Sequence, residues 1–70
     1  MKLGQILIAI SHDIDELIIT NNGWSNIKDL NLYAKKSVIL KRSDIPDSVK
    51  SYELEEINIK NGKLNLIVTT

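Results

Sequence analysis

Apolar residues at Leu3, Ile6, Leu7 and Ile10 recur at the i, i+3, i+4, i+7 spacing of one helical face, with Lys2 and Gln5 off it. That spacing predicts a short N-terminal helix over residues 2–10. Gly4 weakens it by up to about 1 kcal/mol relative to alanine, and Ser11-His12-Asp13 breaks it. Leu17-Ile18-Ile19-Thr20, rich in β-branched residues and bounded by turn formers, predicts a strand over 15–21. Asn22-Gly23 follows, a pair that tolerates the positive φ of a tight hairpin turn. Residues 24–36 fit no single period. Trp24, Ile27 and Leu30 match a helical stripe with Ser25 as N-cap, whereas Leu30, Leu32 and Ala34 alternate as in a strand. The stretch reads as an irregular insertion holding one short turn of helix. Val38-Ile39-Leu40 mark a second strand over 37–42. Ser43-Asp44-Ile45-Pro46-Asp47 then opens a one- or two-turn helix reaching about Ser51, since proline suits the first helical position and acidic groups the first turn. In the closing segment Ile57 and Ile59 alternate with Asn58 and Lys60, and Leu64, Leu66 and Val68 with Lys63, Asn65 and Ile67. Asn61-Gly62 joins the two runs, so residues 53–60 and 63–69 form a β-hairpin with one apolar face.

The order α-β-β-α-β-β predicts a single α+β domain over residues 1–70. Its small antiparallel sheet of about four strands would be packed against the short N-terminal helix and the short middle helix. The expected core is Leu3, Ile6, Leu7, Ile10, Leu17, Ile19, Val49, Ile57, Ile59, Leu64, Leu66 and Val68. A chain this short buries only about 60% of its unfolded surface. Pairing through a free strand edge would hide more, so a homo-dimer or higher homo-oligomer is expected, with 38–40 or 63–69 at the edge.

Composition narrows the function classes. A hydrophobic share of 43% is too high for a disordered chain. The absence of cysteine removes disulfides, thiol catalysis and cysteine-based zinc sites. A lone histidine, His12, removes HExxH-type metal sites and most histidine triads. Nine basic and nine acidic residues cancel, which argues against a broad electrostatic footprint for nucleic acid or anionic lipid. The first apolar run, Ile6 to Ile10, is far shorter than a signal core or a membrane span, and no lipidation signal is visible. A soluble cytoplasmic protein with no membrane partner is the expectation.

Each candidate for chemistry has a plainer competitor. Asp13, Asp15 and Glu16 crowd around His12, but without the glycine-turned loop of a hard-cation site they read as a solvated linker. Glu53, Glu55 and Glu56 offer paired carboxylates, with Glu53 and Glu55 on one strand face and Glu56 on the other. Lacking a histidine or nucleophile beside them, they read as charges that protect a strand edge. Lys35, Lys36, Lys41 and Arg42 are the only basic concentration, preceded by Trp24 and Tyr33, and basic groups with stacking aromatics can hold nucleotides or single strands. Trp24 could be an interface hot spot or, as the weightier reading, a lid on a thin core. No phosphate loop, dinucleotide fingerprint or nucleophile elbow occurs, so neither an enzyme nor a cofactor or metal is expected.

Twelve Ile, seven Asn and eight Lys, all with A/T-rich codons, suggest a low-GC genome, such as that of a Gram-positive bacterium, its phages or its plasmids. Residues 13–20, Asp-Ile-Asp-Glu-Leu-Ile-Ile-Thr, after the opening helix, and residues 49–57, Val-Lys-Ser-Tyr-Glu-Leu-Glu-Glu-Ile, followed by Asn61-Gly62-Lys63-Leu64, resemble the two ends of small accessory (early) proteins of phages of Gram-positive bacteria. The resemblance touches about half of the chain, rests on general helix–strand and hairpin patterns, and is broken by the insertion at 24–36. It implies an accessory protein made during infection, some of which bind and inhibit host machinery, and it carries over no catalytic residue. The expected function is a non-enzymatic binding module that modulates or inhibits a host (defence) protein, the alternative being a nucleotide or nucleic-acid binder. Either partner is expected on Trp24, Tyr33, Lys35, Lys36, Lys41 and Arg42, in the segment where local rules disagree most.

Overall fold

A computed structural model describes residues 1–69. The chain forms helix α1 (Leu3–Ala9) and strands β1 (Glu16–Asn21), β2 (Ser37–Lys41), β3 (Glu53–Lys60) and β4 (Lys63–Thr69), with 3-10 turns at Lys28–Leu30, Arg42–Asp44 and Asp47–Ser51. The α+β class holds, and every predicted strand and the opening helix are present within two residues of their expected bounds. Helix α1 buries Leu3 and Leu7, with Ile10 buried just past its end, and leaves Ile8 to solvent. Its first turn is secured by the Lys2 N–H, which donates to Gln5 Oε1 at 2.7 Å. The middle helix is a 3-10 turn, and Pro46 precedes it in extended conformation (φ −65°, ψ 150°) instead of opening it. Gly4 is the contact point between α1 and that turn: a Cβ there would lie 3.1 Å from Lys50 Cβ and 3.3 Å from the Lys50 carbonyl.

The sheet is mixed, and this corrects the antiparallel expectation. Its order is β2-β1-β4-β3, with β1/β2 and β3/β4 antiparallel and β1/β4 parallel at the centre. The two most buried strands take the interior, and the charged strand β3 and the short strand β2 take the edges. The 63–69 strand is therefore central, and the 38–40 strand lies at an edge as expected. Asn22-Gly23 makes no hairpin turn. The Asn22 N–H donates to the Val68 carbonyl at 2.8 Å and prolongs the central pairing, and the reversal into β2 takes all of 22–36. The Asn61-Gly62 turn does form, both residues having positive φ (53° and 77°), and it pairs Lys60 with Lys63. A β-bulge between Leu54 and Glu56 shifts the register of β3. Glu53 and Glu56 consequently share the face opposite Leu54, contrary to the simple alternation. Glu55 sits in the bulge, where its carboxylate accepts from Asn22 Nδ2 at 2.7 Å.

The core gathers Leu3, Leu7, Ile10, Leu17, Ile19, Val49, Leu66 and Val68 as expected, joined by Ile27, Leu32 and Ile45 from the connections. Ile57 and Ile59 do not belong to it. They point to the core side but remain 41% and 69% exposed, because β3 is an outer strand that nothing covers beyond its start. The opposite face of the sheet carries a chain of side-chain hydrogen bonds across all four strands. Ser37 Oγ and Thr20 Oγ1 are 2.8 Å apart, Thr20 Oγ1 donates to Asn65 Oδ1 at 2.7 Å, and Asn65 Nδ2 donates to Asn58 Oδ1 at 3.1 Å. Asn58 Nδ2 continues it to Glu56 Oε2 at 2.9 Å. Because Thr20 uses its proton on Asn65, the Ser37 hydroxyl donates to Thr20.

Candidate functional site

Loop 22–36 is held to the core at two points. Ile27 and Leu32 exchange both main-chain hydrogen bonds (2.8 and 3.0 Å) around the Lys28–Leu30 turn, which drives their side chains inward. Neither was expected there, since a single bridge leaves no periodicity to read. Asn21, fully buried, is the second anchor: Nδ2 donates to the carbonyls of Ser25 (2.8 Å) and Leu32 (3.4 Å), and Oδ1 accepts from the Gly23 N–H at 3.0 Å. Its main chain exchanges 2.8 Å bonds with Lys35 and Lys36.

On this frame Trp24 stands 86% exposed, which overturns its reading as a core lid. Lys35, in left-handed conformation (φ 64°), places its ammonium 4.2 Å from the Trp24 ring centroid and donates to the Asn22 carbonyl at 2.6 Å. A cation over an exposed ring contributes about 0.5–1 kcal/mol, enough to bias the indole's position without covering it. Tyr33, on the same loop, is 66% exposed, and Lys36 is exposed beside it.

Lys41 and Arg42 lie elsewhere. Strand β2 separates them from Lys36, and five extended residues span roughly 15 Å. Lys41 is exposed at the far end of β2, paired in register with Glu16. Arg42 is half-buried and clamps the α1–β1 linker: its N–H donates to the Asp15 carbonyl at 2.7 Å and Nη2 to the Ser11 carbonyl at 2.8 Å. The predicted six-residue site thus divides into a loop group (Trp24, Tyr33, Lys35, Lys36) and a separate pair. The strand assigned between the two pairs already contained that signal.

Sequence reasoning missed a groove of about 700 Å³ with Leu7 and Ile8 in its wall and Lys2, His12, Arg42 and Lys50 among its lining. Its residues come from distant parts of the chain, so no motif marks it. Its cations are already engaged, Lys2 with Glu53 (3.2 Å), Lys50 with Asp47 (2.9 Å) and Arg42 with Ser11. The Glu53 carboxyl is held below its ordinary pKa by hydrogen bonds from the N-terminal amine and Lys2, and that of Glu16 by its hydrogen bond and attraction to Lys63. Among the described residues no three His, Asp or Glu side chains converge as a metal site, and no helix is long and apolar enough to cross a membrane. Comparison of the chain with protein families, with curated proteins and with solved structures finds no match.

Proposed function

We propose that this chain is a non-enzymatic binding module, an accessory protein of a phage or mobile element that acts by occupying a surface on a host protein, such as a defence protein. The observation that supports this reading is the exposed indole of Trp24, its position biased by Lys35 on a loop pinned by Asn21. Large aromatic groups held ready in water lose little freedom on binding, which is why tryptophan dominates interface energetics. Tyr33 and Lys36 extend the contact surface. A protein partner is favoured over a nucleotide or nucleic acid because the four basic residues divide into two groups and Arg42 is committed to its own chain.

The test is affinity capture from a low-GC bacterial lysate with the parent and with Trp24→Ala. Any protein retained should bind the variant at least about 2 kcal/mol more weakly in titration calorimetry, the mark of a hot spot. Equal affinity for a folded Trp24→Ala rejects the loop as the contact. Capture of nucleic acid instead, lost on Lys35→Ala with Lys36→Ala, favours the alternative.

A further inference from the structure

We infer that two copies of this chain pair antiparallel through the outer edge of β3, centred on Asn58, to form one continuous eight-stranded sheet. The edge is open over a defined stretch. Met1 and Lys2 cover its start, where Lys2 bridges Glu53 and the Leu54 N–H donates to the Met1 carbonyl at 2.7 Å. From Glu55 to Lys60 the strand has β4 on one side and no strand on the other.

The main chain restricts the possible registers. In a hairpin closed by a two-residue turn the flanking pair, Lys60 and Lys63, exchanges hydrogen bonds, and alternation extends this to Asn58 with Asn65 and Glu56 with Ile67. Ile57 and Ile59 therefore direct their N–H and C=O groups outward. An isologous dimer must bring outward groups opposite outward groups, which leaves Ile57 on Ile57, Ile59 on Ile59, or Ile57 on Ile59 of the second copy. The side chains select the third. Only there does Glu56 stand opposite Lys60 of the second copy, twice by symmetry, on the face that carries the hydrogen-bond chain.

Three independent features agree with that register. Among the described residues neither Glu56 nor Lys60 finds an ion-pair partner in its own chain. Ile57 and Ile59, the exposed pair on the core side, would cover each other across the junction. The side-chain ladder running from Ser37 to Asn58 would meet its own copy at the dyad. The second copy's strand would also end at its Asn61-Gly62 turn beside Glu55, where the stretch covered by Met1 begins. The β2 edge has no such match. Self-pairing about Ile39 sets Ser37 against Lys41, with Lys36 and Arg42 adding like charge at its ends.

The test is a charge swap read by sedimentation equilibrium. The parent should shift from 7.9 kDa to twice that mass over the micromolar range. Glu56→Lys alone and Lys60→Glu alone each place like charges opposite one another twice, and should weaken self-association about tenfold. An equimolar mixture of the two variants matches opposite charges at both positions and should dimerise at least as well as the parent. Trp24→Ala should leave the dimer unchanged, which separates this inference from the loop reading. Circular dichroism melts of the two charge variants, taken at a concentration where parent and variants are all monomeric and expected to match there, exclude misfolding. A parent that stays at 7.9 kDa at near-millimolar concentration overturns the proposal, and so does a mixture no more associated than either variant alone.

Discussion

Replacing Asn21 by alanine tests the claim that its buried amide is one of the two anchors of the loop bearing Trp24. The substitution removes the Oδ1 acceptor of the Gly23 N–H, a donor on a buried residue, and an orphaned buried donor costs about 1–3 kcal/mol. The 2.8 Å bond to the Ser25 carbonyl is lost as well, a net contribution of about 0.5–1.5 kcal/mol, although water can reach that exposed residue. The Leu32 carbonyl is not orphaned, because the Ile27 N–H still donates to it at 2.8 Å. The total is about 1.5–4.5 kcal/mol, against a whole-domain stability of about 3.5–10 kcal/mol for a chain of this length. With a urea m-value near 1 kcal/mol/M, the midpoint should fall by roughly 1.5 M or more. Trp24 is the sole tryptophan, so its fluorescence reports the loop directly, and circular dichroism reports the sheet. The loop signal should change at lower urea than the sheet signal, as expected for a locally opened segment. A midpoint within about 0.5 M of the parent, with coincident probes, would refute the assignment of Asn21 as an anchor.

Trp24→Ala itself should change stability by no more than about 1 kcal/mol in a denaturant melt, because the side chain is exposed and what it loses is the contact with Lys35. Gly4→Ala should melt no higher than the parent despite a gain in helix propensity of about 1 kcal/mol, since its new methyl meets the Lys50 backbone carbonyl at 3.3 Å; a clear rise in Tm would show that the 47–51 turn yields easily. Gly62→Ala should cost about 1 kcal/mol by thermal melting, entirely from the left-handed φ of 77°, since open space surrounds the position. Glu16 and Glu53 have folded-state pKa values below the ordinary range, so the unfolded chain binds more protons there and stability rises with pH. Their contribution is present above the unfolded pKa of about 4.3 and lost as pH falls through the folded values. Glu53→Gln should lower Tm at neutral pH and flatten the fall on the acid side, and parallel Tm curves for parent and variant would contradict this.

The hairpin, the opening helix and the bounds of all four strands were legible because each is specified within a few residues. Alternation, a helical stripe and the positive-φ pair Asn61-Gly62 are local signals. What alternation cannot say is whether a face is covered. Ile57 and Ile59 have the spacing of core residues, yet β3 lies at the sheet's edge and overhangs solvent. Ile27 and Leu32 failed in the opposite sense, buried by one bridge and a 3-10 turn that leave no period. The parallel β1–β4 pairing joins segments far apart in the chain, and nothing local encodes its direction. For the candidate site, grouping Lys35, Lys36, Lys41 and Arg42 overlooked the length of the strand assigned between them. The exposure of Trp24 depends on how the loop is anchored through Asn21, and tryptophan's chemistry suits a lid and a contact equally.

The parallel pairing at the sheet's centre also governs how the protein is born. β1 is made early and β4 last, yet each is the other's inner neighbour. Helix α1 and the β3–β4 hairpin can form in microseconds, whereas joining β1 to β4 requires closing a loop of most of the chain, and that entropy is lost before the contact stabilises anything. Until β4 emerges from the ribosome, Leu17, Ile18 and Ile19 have only β2 for company, and a two-stranded ribbon is not stable by itself. Assembly therefore waits for the final strand and then proceeds as one event. A fragment ending before residue 63 should therefore fail to fold and leave Leu17, Ile18 and Ile19 in the open, a natural substrate for chaperones and proteases.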